Sequence, residues 1–255
     1  MAIILNERKW VEQAIEDKSL GNKPYETLVR VARYYLDNGN SKKNTRKLIE
    51  NFLLQCDRSV SVAKWSAVLD KAVASASKYP AVNIDHIDIS NKEIETIKSL
   101  KGKQLQRLAF TLLCLAKYWD IVSYSKNHWV NSKDGDIMQM ANINTSIKRQ
   151  SAMYHTLNEF GLVQFSKKID NTNVRVCFIE DGKVELSITD FRNLGYQYLK
   201  YLGEPYFNCV NCGITTKYND PEKGKKQKYC KKCATQVMLK QIVNSTMRLR
   251  LNASS

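Results

Sequence analysis

Apolar residues along the first eighty positions recur every three or four residues, the spacing of helices that bury one face. Trp10, Val11, Ala14 and Ile15 place such a face on a first helix, which Asn6 can cap and which stops before Gly21. Pro24 suits the first turn of a second helix, PYETLVRVARYYLDNG, closed by Asn38-Gly39. Ser41 can cap a third, carrying Leu48, Ile49, Phe52 and Leu53, and a fourth runs through SVAKWSAVLDKAVASASKY to Pro80. Trp10, Tyr34, Tyr35 and Trp65 then belong to the core of a helical bundle. No fixed-period repeat is visible.

The pattern changes at AVNIDHIDI, which alternates as a short strand or an extended linker and sets a boundary near residues 80–90. Ser90 and Glu93 have the spacing of a capping box, serine at the helix start and glutamate reaching back from three residues on. After Gly102, KQLQRLAFTLLCLAKYWDIV is a strongly apolar helix at the centre of a second domain. DGDIMQMAN follows as a short helix. NTSIKRQSAMYHTLNEFG is a longer one, with Thr145 or Asn144 as cap, Ile147, Met153, Leu157 and Phe160 as apolar positions, and Gly161 at its end. LVQFSKK and NVRVCFIE then alternate as two strands joined by IDNTN, and KVELSIT is a further short strand. Thr189 or Asp190 can cap a helix over DFRNLGYQYLKYL, in which Tyr196, Tyr198 and Tyr201 are packing residues. The fold class expected is mainly α (α+β), with a helical domain over 1–88, a central domain over 89–188, a connecting helix over 189–204 and a cysteine-bearing domain over 205–255.

Residues 102–180 thus run helix, short helix, helix, two-stranded hairpin, and SIKRQSAMYHTLNEFGLVQFSKK ends its helix in Gly-Leu-Val. This stretch resembles the winged helix-turn-helix domains that bind DNA. The resemblance implies that the third helix enters the major groove with Ser146, Lys148, Arg149 and Gln150 toward base edges. Arg149 would suit guanine and Gln150 adenine. Lys167, Lys168 and Arg175, on the wing, would meet phosphates. An ordinary solvated helix face and a protein-binding winged helix are the alternatives.

Near the C-terminal end, Cys209-x2-Cys212 and Cys230-x2-Cys233 are separated by 17 residues, within the window for a four-thiolate zinc site. Two thiolates two residues apart can reach one ion from a single tight knuckle, and Gly213 can take the positive φ that the turn needs. ITTKY and KKQKY are expected to form a hairpin around NDPEKGK. From Ala234 a helix should follow, with Val237, Met238, Ile242 and Met247 on its inner face. Knuckle, hairpin and helix resemble a treble-clef zinc finger; a plain zinc ribbon is the alternative. Four cysteines complete a tetrahedron, so one Zn2+ would be structural and leave no position for a reacting water. Iron–sulfur ligation is the remaining alternative.

Charge sharpens the picture. The chain has a net charge of +15, and its last 55 residues hold 10 basic against 3 acidic side chains. Lys217, Lys223, Lys225, Lys226, Lys228, Lys231 and Lys232 surround the cysteines, opposed by Asp220 and Glu222. Flexible point charges of one sign favour phosphate backbones without base preference. A 43% hydrophobic content excludes a disordered chain. The start is apolar only as far as Leu5, and no apolar run reaches 18 residues, so neither an export signal nor a membrane span is expected. Seven cysteines then point to a reducing cytoplasm, with Cys56, Cys114 and Cys177 as small buried residues. No catalytic constellation stands out. His86, His128 and His155 fall in different elements, and Asp85 and Asp88 lack the third carboxylate that a metal-dependent nuclease or primase site needs.

The expected function is binding of nucleic acid, duplex DNA foremost, in transcription or replication control. Similarity is to small DNA-binding proteins of phages and mobile elements, which implies the cytoplasm of a bacterial or phage-infected cell. A protein partner such as RNA polymerase or a defence complex, and an accessory role to a nucleic-acid enzyme, are the alternatives. A homodimer built on the N-terminal helices would let two copies read two half-sites.

Overall fold

The structure, a computed structural model, describes residues 3–167, 173–219 and 227–252; in the last segment the side chains of Lys240, Asn244 and residues 246–252 lie outside the description. Among the described residues ten helices and three small antiparallel sheets form a mixed α+β fold. Backbone contacts divide it into a unit over Ile4–His86 and another that begins at Ile87.

The first unit holds four helices: α1 (Glu7–Glu16), α2 (Pro24–Asp37), α3 (Lys42–Cys56) and α4 (Val62–Ala76). Their starts follow from local chemistry. The Asn6 carboxamide accepts from Lys9 N, Pro24 opens α2, and the Ser41 hydroxyl accepts from Asn44 N. Leu28, Val31, Ile49, Phe52, Leu53 and Leu69 form its buried centre, with Trp10, Tyr34, Tyr35 and Trp65 half-buried around it.

The second unit starts with β1 (Ile87–Ser90), α5 (Asn91–Ser99) and α6 (Lys103–Val122). Ser90 and Glu93 form the expected capping box. Eleven residues of α6 are buried, on all sides of the helix, because other elements pack around it. β2 (Trp129–Val130), α7 (Asp134–Met140), α8 (Ile147–Glu159), β3 (Val163–Phe165) and β4 (Val174–Val176) follow, and the sheet order is β2-β4-β3. β5 (Val184–Ile188) returns to pair with β1, setting Ile87 against Ile188 and Ile89 against Leu186. α9 (Leu194–Tyr201) lies on α6 through Tyr198 and Phe110, whose rings are 5.1 Å apart. β6 (Tyr206–Asn208), β7 (Thr215–Lys217) and α10 (Lys231–Asn252) complete the chain.

Five local expectations change. Ser146 caps α8 in place of Thr145 or Asn144, its hydroxyl accepting from Arg149 N. α9 starts at Leu194 and not at Asp190, because Asp190 is held by Arg192 and Asn193 takes a left-handed backbone. The terminal hairpin pairs Tyr206–Asn208 with Thr215–Lys217 across the first cysteine pair; of the expected partner KKQKY, residues 227–229 form no strand and Lys225 and Lys226 lie outside the described residues. Met238 and Ile242 are exposed on α10, not turned inward, since among the described residues no other element covers that stretch; Met247 lies outside the described side chains. Cys177 is also exposed, on the outward side of the strand alternation around β4.

Gly195 marks the closest approach in this unit. A methyl group there would overlap the Ala141 carbonyl oxygen at the end of α7. Gly195→Ala is therefore expected to destabilise the unit by about 1–3 kcal/mol, read as a lower denaturation midpoint with an unchanged slope.

Candidate metal centre and basic surface

The Sγ atoms of Cys209, Cys212, Cys230 and Cys233 all lie within 4.8 Å of one another, placed to bind one metal ion. Two are supplied by the turn between β6 and β7, where Cys209 N donates to Ile214 O and Gly213 N to Cys209 O, Gly213 at φ +74°. The other two sit where α10 begins, with Ala234 N donating to Cys230 O. Val210 N reaches Lys228 O at 2.9 Å and ties the two halves together. Cys212 Sγ and Cys230 Sγ are 3.8 Å apart, matching the edge of about 3.8 Å that a tetrahedron of zinc–sulfur bonds of about 2.3 Å requires.

The electrostatics suit a cation. Burial opposes ionisation of Cys209, but the backbone amides of Cys230, Cys212 and Asn211 outweigh it and bring this thiol down to about 6. Burial pushes Cys212 up to about 12. Crowded sulfurs resist further negative charge, and an ion at their centre removes that resistance. Two other groups act on the cage that spacing alone could not reveal. Asn211 Nδ2 points at Cys233 Sγ from 3.4 Å, and Arg192 Nη2 donates to Cys212 O at 2.7 Å while its guanidinium is held by Asp190.

Among the lysines expected near the cage, Lys217 at the end of β7, Lys228, and Lys231 and Lys232 in the first turn of α10 are exposed. Lys223, Lys225 and Lys226 lie outside the described residues, as does Lys168. On α8, Lys148 and Arg149 are exposed, and among the described residues neither forms an ion pair. Ser146 is committed to its cap, and Gln150 is half-buried with its amide turned back onto Thr145 O at 2.9 Å. Arg175 is exposed in β4, between Trp129 and Gln164 on the neighbouring strands, and Lys167 is exposed just past β3.

The same outer side of α8 presents residues that motif reasoning missed. Ser151, Ala152 and His155 are exposed, the last against Phe165 with ring centroids 5.2 Å apart; beside them Ile147, expected as an apolar position of the helix, is 83% exposed. Counting on from Lys148 in steps of three and four along a helix would have found Ser151, Ala152 and His155. The remaining candidates are dispersed. His128 Nδ1 meets Asp120 Oδ2 at 2.5 Å. Asp85 pairs with Lys9, and Asp88 Oδ1 accepts from Ser187.

None of the seven cysteines is in a disulfide. Among the described residues no helix is long and apolar enough to cross a membrane. Comparison with family models, curated proteins and solved structures finds no match for the chain.

Proposed function

We propose that the chain binds nucleic acid, with duplex DNA as the preferred form, and that α8 is its reading element. The observation that supports this is the run α6-β2-α7-α8-β3-β4 with strand order β2-β4-β3, which we read as a winged helix-turn-helix, together with Lys148 and Arg149 exposed and unpaired among the described residues at the start of α8. In that arrangement the α8 side chains meet base edges, and Lys167 and Arg175 of the β3–β4 hairpin meet phosphates. Lys217, Lys228, Lys231 and Lys232 add contacts that carry charge but no sequence information. We assign zinc to the four cysteines, as a structural ion; four thiolates fill its sphere and leave no site for catalysis.

The test is binding of the full chain to random duplex DNA, single-stranded DNA and RNA across a salt series. Affinity is expected to fall steeply with salt, with the duplex preferred. Lys148→Ala with Arg149→Ala is expected to weaken duplex binding at least about tenfold and to lower the salt slope by about two. No binding to any of the three at low salt would overturn the proposal. A protein partner is the second reading, favoured by Met238, Leu239, Ile242 and Val243, all exposed on α10; binding to it would survive the double substitution.

A further inference from the structure

The turn between α7 and α8 is wired to the cysteine hairpin by two asparagines. Asn142, in that turn, has φ +55°, and Asn193, just before α9, has φ +54°. Asparagine is among the few residues that tolerate this left-handed region, and its short amide can bond locally from there. Here both amides bond across elements. Asn142 Nδ2 donates to Asn193 Oδ1 at 2.9 Å, and Asn193 Nδ2 donates to Thr215 O of β7 at 2.9 Å. Asn142 Oδ1 accepts from Tyr196 N at 3.1 Å, so it caps α9 from another part of the chain while Asn193, at the N-cap position, makes no cap bond with its own side chain. On the far side Arg107 of α6 donates to Asn142 O at 3.0 Å. Arg192, next to Asn193, holds the carbonyl of Cys212. The chain of contacts therefore runs Arg107, Asn142, Asn193, Thr215, with Arg192 clamping the knuckle beside it. Thr215 lies three residues past Cys212, and Asn142 four residues before the Ser146 cap of α8.

We propose that Asn142 and Asn193 are positioning residues that join the metal centre to the α7–α8 turn, so that filling the centre with metal steadies the turn and sets α8 and the finger as one binding face. A finger tethered loosely would add affinity independently of α8. One held through Asn193 presents its lysines at a fixed place relative to Lys148 and Arg149, and loses that placement when the knuckle opens. The consequence for binding rests on the nucleic-acid reading above; the coupling itself does not.

Two measurements separate them. The first is hydrogen exchange at the amides of Ala141, Asn142 and Ile143, compared with Leu112 and Leu113 in the middle of α6, on the full chain with and without Zn2+. Removing metal from the wild type is expected to speed exchange at the turn by about tenfold while α6 stays slow. Asn193→Asp keeps the acceptor for Asn142 but deletes the donor to Thr215 O. It is expected to retain one metal per chain, to exchange at the turn as the metal-free wild type does, and to respond no further to chelation. Asn193→Gly, which keeps the left-handed backbone, should behave likewise. Equal turn exchange with and without metal overturns the proposal. So does an equal rise at Leu112 and Leu113, which would mean that the metal holds the whole unit, and so does an undiminished response to chelation in Asn193→Asp. The second measurement is duplex binding, expected to weaken in Asn193→Asp at full metal loading. Coupled exchange with no duplex binding in any variant would leave the coupling standing and remove the nucleic-acid reading alone.

Discussion

Glu93→Ala is expected to loosen the second unit by about 3–5 kcal/mol, the cost of stripping one partner from a buried ion pair. Glu93 is fully buried. One of its oxygens accepts from Lys117 Nζ at 2.7 Å and from Ser90 N at 2.7 Å; the other accepts from Glu180 N at 3.1 Å. Lys117 also donates to Asp88 O at 2.7 Å. A single carboxylate thus binds β1, the start of α5, the side of α6 and the stretch after β4. Alanine leaves an ammonium with one carbonyl and two backbone amides with no acceptor, and desolvated donors without partners are costly. Hydrogen exchange at Leu112 and Leu113 of α6 reads this unit by itself, and should accelerate by about a hundredfold to several thousandfold. Glu93→Ala combined with Lys117→Met should recover part of the loss, because it removes the stranded charge. Unchanged exchange in the single variant would show that the network is incidental.

Ser90 and Glu93 were legible in the sequence because a capping box works over three residues. The same holds for Asn6, Pro24 and Ser41, whose roles depend on the next turn of chain and nothing farther away. What stayed hidden depends on distant partners. β2 is two residues long and exists only because Trp129 and Val130 find Arg175 and Val174; two residues show no alternation. ITTKY is expected from the sequence to pair with KKQKY, across the lysine-rich loop. The chain pairs it with the strand just before Cys209, closing the knuckle with a short loop and joining Thr215 Oγ1 to Asn208 Oδ1 at 2.9 Å. Cys177 was legible and misjudged: Val174 and Val176 are buried, so period two sends Cys177 outward with Arg175. The four metal-ligand positions came from spacing alone, while Arg192, which bonds Cys212 O, and Asn193, which bonds Thr215 O, carry no motif.

Removing the metal is expected to have the largest effect on the C-terminal segment. β6 and β7 have three residues each, and Phe207, Cys209, Thr215 and Cys233 are its buried residues among those described. So small a core cannot offset the entropy of ordering the surrounding loop, whereas a four-thiolate zinc site contributes an apparent binding free energy of about 10–16 kcal/mol at neutral pH. The full chain should carry one metal ion by native mass spectrometry. Co2+ substituted for it should give the absorption of a tetrahedral thiolate site. Chelation or Cys233→Ser should abolish exchange protection at Cys209, Gly213 and Ala234, whose amides make the bonds of the two knuckles. The unit over Ile4–His86 contributes none of the four ligands, so its exchange should not change. Cys177→Ser, at an exposed thiol outside the cage, should leave the metal count at one. A chain that purifies without metal, binds none on addition and keeps the knuckle amides protected would show that the hairpin, the Arg192 clamp and the Asn193 link hold the segment unaided. The cysteines would then need a different explanation.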